Sequence, residues 1–245
     1  MPIVAADLLA FGSANRPSDD VALVGGAITL TDRPDFTQLT ANAVIAVISD
    51  GADVRTVTIE GRSAAGAVVS EVITLNGAVE AVGATTFERI LTITLSATDA
   101  ARTVTVRQGA GGATRATVNV NETTRTMLFR RSASETAIVI RYEKFFWKNN
   151  HATITLNAAQ VTLTADPDAR IRIGLAATKG DTATAANRKT APTGITFADD
   201  GVAQNVPGNT LEAVTAIGVW VEENLPANDP THRATYTTQL AGTTV

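Results

Sequence analysis

Val54 to Glu60 reads VRTVTIE, and its alternation decides the fold class. Val57 and Ile59 fall on one side of an extended chain and Thr56 and Thr58 on the other, the period-two signature of a half-buried strand. The same pairing of Thr with Val or Ile returns in RTVTVR (Arg102 to Arg107), ATITL (Ala152 to Leu156), QVTLT (Gln160 to Thr164) and ARIRIGL (Ala169 to Leu175). About one residue in six is threonine, a residue suited to a pleated, partly solvated surface. No segment keeps a 3.6-residue period over three turns, so any helix should be short.

Working outward, AVIAVI (Ala43 to Ile48) is apolar on both faces and reads as a central, doubly buried strand. GRSAAG (Gly61 to Gly66) turns VRTVTIE into AVVSEVITL (Ala67 to Leu75), a hairpin, and Asn76-Gly77 closes the next turn. FERILTITL (Phe87 to Leu95) follows. RTVTIEGRSAAGA and RTVTVRQGAGGAT resemble one another, which reads either as a duplicated unit or as chance between biased strands. QGAGGAT (Gln108 to Thr114) reads as a linker, and a boundary is expected between 108 and 133. Beyond it, Ile138, Ile140 and Tyr142 share one face of TAIVIRYEKFFWKNN. ADPDA (Ala165 to Ala169) is a tight turn, Ala176 to Asn209 is loop-rich, and AIGVWVEEN (Ala216 to Asn224) places Trp220 opposite Ile217, Val219 and Val221. RATYTTQL (Arg233 to Leu240) ends the domain. The expected architecture is all-β: two β-sandwich-like domains, 27–110 and 125–245, behind an extended N-terminal arm, 1–26.

The arm carries Ile3, Val4, Leu8, Leu9 and Phe11. It reads either as a frayed terminus or as a segment lying on a neighbouring subunit. Phe145, Phe146 and Trp147 cannot all face one core from a strand. At least one must point under a loop, into a second sheet or into a partner, where aromatics are favoured anchors. These eight residues are the candidate partner contacts.

Composition excludes several classes. There is no cysteine, so disulfides, thiolate chemistry and Cys-based zinc sites are out. The formal net charge is -4 without a basic stripe, which suggests neither nucleic acid nor an anionic membrane as partner. The densest basic spot is Arg125, Arg130 and Arg131. His151 and His232 sit in polar turns, and no G-x-S-x-G is present, so no nucleophile–base pair is selected. Asp166 and Asp168 could supply oxygens to calcium, but their spacing fits no EF-hand, and turn propensity explains them. Asp199 and Asp200 form a second acidic pair. Nothing selects Glu88, Glu143 or Glu222 as a glycosidase pair. No catalytic, cofactor or metal residue is assigned, and no enzyme is expected.

The stretch from Arg141 reads RYEKFFWKNNHATITLNAAQVTLTADPDARIRIGLA, later joined by NRKTAPTGITF and LEAVTAIGVWVEENLPAND. It resembles a module in virion structural proteins of tailed bacteriophages. There, E-K-x-F-x-K-N-x-H (here Glu143 to His151) leads into Thr/Leu strands, a D-P turn, A-P-x-G-x-x-F (Ala191 to Phe197) and G-x-W-V (Gly218 to Val221). GRSAAGAVVSEVITLNG followed by FERILTITL is similar to sandwich segments of such proteins. The resemblance covers about two thirds of the chain and implies a non-enzymatic virion protein without cofactors. The location it suggests is the outer surface of the phage head, as a capsid decoration or cement protein. Its partners would be the major capsid protein lattice and itself, as a homotrimer at three-fold points. Deleting 1–26 is then expected to abolish capsid binding and leave a folded domain. A tail, neck or baseplate component is the alternative within the class. A carbohydrate-binding or adhesive sandwich is the alternative outside it, favoured if Trp147, Trp220 and Tyr236 share an exposed face.

Overall fold

The structure is a computed structural model that describes residues 2–130, 135–229 and 235–244. It is all-β, and the chain forms two compact units. Unit 1 is Met1–Thr29 with Arg131–Val245, and unit 2 is Leu30–Arg130. The chain lays down β1 (Leu8–Asn15) and β2 (Val24–Thr29), then leaves to build unit 2 from β3 (Asp32–Arg33), β4 (Ile45–Ser49), β5 (Thr56–Arg62), β6 (Val68–Thr74), β7 (Ala81–Val82), β8 (Arg89–Leu95), β9 (Val104–Gln108), β10 (Thr114–Val118) and β11 (Thr124–Thr126). It returns to unit 1 through β12 (Val139–Asn149), β13 (Leu156–Ala165), β14 (Ile171–Lys179), β15 (Thr184–Ala185), β16 (Gln204–Asn205), β17 (Thr210–Leu211), β18 (Ala216–Leu225) and β19 (Thr237–Thr243).

Unit 2 is a sandwich of two sheets, ordered β10-β9-β4-β7 and β3-β11-β8-β5-β6. Both sheets send their apolar positions into one core: Ile45, Val47, Val104, Val106 and Val118 from the first, Val57, Ile59, Ile73, Ile90, Ile93 and Leu95 from the second. The Thr positions of the alternation face the other way, and cross-strand neighbours Thr58, Thr94 and Thr124 form a row over β5, β8 and β11. AVIAVI is the interior strand expected, with Ile45, Ala46 and Val47 all buried. VRTVTIE and AVVSEVITL form the expected β5–β6 hairpin. QGAGGAT does not link domains. It closes the β9–β10 hairpin, where Gln108 N–H donates to Ala113 O and Gly112 N–H to Gly109 O. Unit 2 enters and leaves side by side: β3 runs parallel to β11, and the N–H groups of Thr123 and Thr124 both donate to Thr31 O.

Unit 1 holds a six-stranded sheet, β14-β18-β12-β1-β2-β15, and a smaller sheet in which β13 pairs with β16, β17 and β19. The expected arm is therefore a strand of unit 1. β1 pairs antiparallel with β12 from Leu8↔Asn149 to Gly12↔Phe145, and with β2 on its other side. Leu8, Leu9 and Phe11, three of the apolar residues that suggested docking, pair along the chain's own sheet. β12 presents an edge along Phe145–Asn149 whose amides need partners, and β1 supplies them.

Two further expectations change. ATITL is loop until β13 begins at Leu156, its turn fixed by His151 and Asn149 as described below. Ile138 and Ile140 are exposed while Tyr142 is buried. The stretch expected to be loop-rich, Ala176 to Asn209, is so beyond the end of β14, with only the two-residue β15 and β16, and its Ile195 and Phe197 pack against the six-stranded sheet.

Because unit 2 starts and ends on neighbouring strands and owns its core, excised 30–130 is expected to fold alone, with a cooperative thermal transition by circular dichroism. Deletion of 1–15 should remove the unit 1 transition and leave the unit 2 transition in place.

Candidate functional site

β12 is a central strand with both faces covered, and its sequence VIRYEKFFWKN puts charges on both. Even-numbered residues Tyr142, Lys144 and Phe146 share a face with their β18 partners Glu222, Trp220 and Gly218. The two ends of segment 181–197 lie over this face. Ile195 and Phe197 pack on a cluster of Val24, Tyr142, Ala185 and Trp220, and the Tyr142 and Phe197 rings lie 5.5 Å apart.

Lys144 is fully buried there. Its ammonium lies 2.5 Å from Asp181 Oδ2 and also donates to the carbonyls of Gly26 (3.1 Å), Asp181 (3.2 Å) and Ala183 (3.3 Å). It stands 4.8 Å from the Phe146 ring centre and 5.5 Å from that of Trp220, within cation–π range. Burial pushes the lysine pKa down, and Asp181 opposes that shift. Two glycines make the cage possible. A Cβ on Gly218 would come within 2.8 Å of Lys144 Cε, and one on Gly25 within 2.7 Å of the Trp220 ring, at a φ of +89°. On the same face, Glu222 is buried and receives the Arg172 guanidinium. Burial and the adjacent Glu222 push the Tyr142 hydroxyl above its ordinary range.

On the odd-numbered face, Glu143 and Arg188 form an ion pair at 3.2 Å, each only 1% exposed. Arg188 also gives its carbonyl to the Tyr142 N–H, along the part of β12 that β1 does not reach. Beside it Arg141 binds Asp20 through Nε (2.9 Å) and Nη2 (2.8 Å), and Glu135 through Nη2 (2.9 Å). Lys189 closes the group on Glu135 and Asp20. Three acids and three bases balance. The Arg141 hydrogen bonds hold the Asp20 carboxyl below the usual carboxylate range, against the opposing effect of partial burial.

The residues weighed for chemistry have structural duties. His151 Nδ1 accepts the N–H groups of Thr153 (3.2 Å) and Ile154 (3.0 Å). Asn149 accepts from His151 N–H and donates to Ile154 and Leu211 carbonyls. His232 lies outside the described residues. Asp166 Oδ2 accepts Ile171 N–H at 2.6 Å, and Ala169 N–H donates to Asp166 O, so the ADPDA turn is self-capped. No group of three metal-ligating side chains occurs among the described residues. The basic spot is not a patch: Arg125 is buried on Glu122, Arg130 donates to Thr92, and Arg131 lies outside the described residues.

Of the eight candidate contact residues, Phe11, Phe145 and Phe146 lie inside unit 1 and are not surface anchors. Phe11 pairs with Phe146 across β1 and β12. Trp147 is half-buried, its ring edge-on to Phe145 at 6.4 Å. Ile3, Leu8 and Leu9 are half-buried and Val4 is exposed. The three-aromatic problem is solved by alternation: Phe145 and Trp147 face one side, Phe146 the other. Sequence reading missed the buried ion pairs, although the alternation of R-Y-E-K with aromatics carried the signal. Comparison with protein-family models, curated proteins and solved structures found no match.

Removing one partner of a desolvated pair strands the other charge. Glu143→Gln is therefore expected to destabilise unit 1 by about 3–5 kcal/mol, measured by urea unfolding. Glu143→Leu with Arg188→Met should recover most of the loss. For Asp20, whose folded pKa is lowered, the stabilisation is full above about pH 4 and is lost as pH falls through the folded value. The stability gap between the wild type and Asp20→Asn should thus be constant from about pH 5 to 8 and shrink below about pH 4.

Proposed function

We propose that this chain is a non-enzymatic structural protein of a tailed-phage particle, and that it decorates or cements the head. The observation that carries the reading is what the shared motifs do. Glu143, Lys144, Phe146, Asn149 and His151 of the E-K-x-F-x-K-N-x-H stretch, Phe197 of A-P-x-G-x-x-F, and Gly218 and Trp220 of G-x-W-V all serve the framework of unit 1. A motif devoted to packing and buried charge pairs suits a module selected to hold shape. Two sandwich units, without cysteine and tied internally by ion pairs, suit a particle exposed outside a cell.

The attachment device differs from a detachable arm. Residues 8–15 belong to the sheet, so lattice contacts fall to other surfaces. A sugar-stacking role for Trp220 is disfavoured, because that ring is fully buried under the 181–197 segment. Tyr236 is partly buried beside Glu143, and desolvation pushes its hydroxyl well above the ordinary range.

The test is association with particles. Purified heads of the phage that encodes the chain, stripped of it and then re-exposed, should bind the recombinant protein saturably and gain resistance to heat. Binding to tails and not to heads would place it in the tail, neck or baseplate. Binding to neither, with selective glycan retention on an array, would overturn the reading in favour of an adhesive module.

A further inference from the structure

Unit 2 ends its five-stranded sheet on β6, which pairs with β5 alone among the described strands. The register runs from Thr56↔Thr74 to Arg62↔Val68. The flanking bonds, Leu75 N–H to Arg55 O and Ser63 N–H to Ala67 O, fix the phase. Odd-numbered residues of β6 turn their amides and carbonyls to β5, and Val68, Ser70, Val72 and Thr74 turn theirs outward. The side chains of those four residues form the solvent face of the strand. Val68 is 43% and Val72 61% exposed.

Edge strands are ordinarily blunted by charge, proline, bulges or brevity. Other edges of this chain follow the rule. β3, β7 and β15 have two residues each. β10 carries Arg115 and a register shift, and β14 carries Arg172, Lys179 and a shift. The β19 ladder is broken by shifts at two places. β6 is seven residues long, unbroken in register, and its outward row has no charge. Its one ionised residue, Glu71, points to the opposite face. There it accepts the N–H groups of Ala84 (2.6 Å) and Thr85 (3.1 Å).

We infer that β6 is the contact through which a second copy of this chain adds to the sheet, by antiparallel β6–β6′ pairing about a twofold axis at Ser70. An isologous contact sets residue i against j and j against i, so the row must complement itself, and the uncharged row Val68-Ser70-Val72 does so, valine meeting valine and serine meeting serine. In this register Val68 faces Val72 of the partner on each side of the axis. The two Ser70 residues face one another as a hydrogen-bonded pair, and Thr74 meets the open turn at Gly66, where a Cβ would touch nothing. Charge permits the match. Glu71 is held by its own loop, and the Glu60 side chains beside Ser70 on each β5 stand three strand spacings apart, about 14 Å, beyond a Debye length. Two strands alone bury less than a standard interface of about 1,200 Å², so the pair is weak in dilute solution and strengthens where copies are crowded together. The contact closes on two copies, so it does not build the trimer expected from lattice symmetry. Only its biological setting rests on the virion reading.

The absence of cysteine makes a trap clean. Facing residues of a hydrogen-bonded pair have Cα atoms about 5.5 Å apart, within disulfide range. Ser70→Cys in the full-length chain should therefore oxidise to a covalent dimer about tenfold faster than Ala64→Cys, an exposed control on the adjoining turn. Adding Val72→Lys to Ser70→Cys should abolish that advantage, with circular dichroism unchanged since both positions are exposed. Hydrogen exchange at the Ser70 and Val72 amides should slow as protein concentration rises. Trapping no faster than the control, trapping indifferent to Val72→Lys, or exchange independent of concentration would overturn the inference. Each measurement uses purified protein without particles, so its failure leaves the head-binding test untouched.

Discussion

The ammonium of Lys144 organises unit 1. A desolvated charge of this kind is costly unless its donors all find acceptors. Here the oxygen acceptors come from two separate stretches of chain, Gly26 on β2 and Asp181 and Ala183 just before β15, and the rings of Phe146 and Trp220 on β12 and β18 complete the cage. Satisfying one lysine thus fixes the reach of β2, the fold-back of 181–197 and the glycine at 218 together. The N-terminal strands are bound into this arrangement. β2 must pass close enough to Trp220 that only glycine fits at position 25, and β1 must lie between β2 and β12.

The opposite face of β12 repeats the logic with a full ion pair. Glu143 and Arg188 add little net stability over an apolar pair of similar volume. Their effect is on uniqueness. A β-strand slipped by one residue would exchange its two faces. In VIRYEKFFWKN such a slip would set Lys144 toward Arg188 and Glu143 toward the carbonyl cage. Both alternatives place like with like: two cations together, and a carboxylate against carbonyl oxygens. Alternating charge on a doubly buried strand therefore specifies register, where alternation of apolar and polar residues cannot, because both faces are buried.

That distinction sets what was legible in the sequence. Unit 2 was readable, since its strands have one wet face and one dry face and the Thr/Val alternation reports the difference directly. Residues 45–47, 57, 59 and 73 sit where the pattern puts them. The hairpin at QGAGGAT was misread because glycine-rich turns and glycine-rich linkers share a composition, and only the pairing of β9 with β10 separates them. Unit 1 was less readable. Its defining contacts join residue 26 to 144 and 20 to 141 across an inserted domain of about one hundred residues, and 143 to 188 across β13 and β14. A hydrophobic N-terminal segment far from its partner strand looks like an arm, and no local periodicity identifies the edge it completes. ATITL shows the converse error. Its alternation is strand-like, yet His151 Nδ1 takes the Thr153 and Ile154 amides that a ladder would need, and a side-chain acceptor overrides propensity.

The inserted topology also sets which strands of unit 1 must be held together across the insertion. Unit 2 is inserted in the chain between β2 and β12, two strands separated in the sheet only by β1. In unit 1 those strands are joined by backbone ladders and by the Lys144 bonds, which connect β12 directly to the Gly26 carbonyl. Pulling in shear along antiparallel strands loads many hydrogen bonds at once instead of one at a time. The buried lysine adds a charge-assisted link that water cannot readily replace, because its side chain is fully buried beside the Phe146 and Trp220 rings.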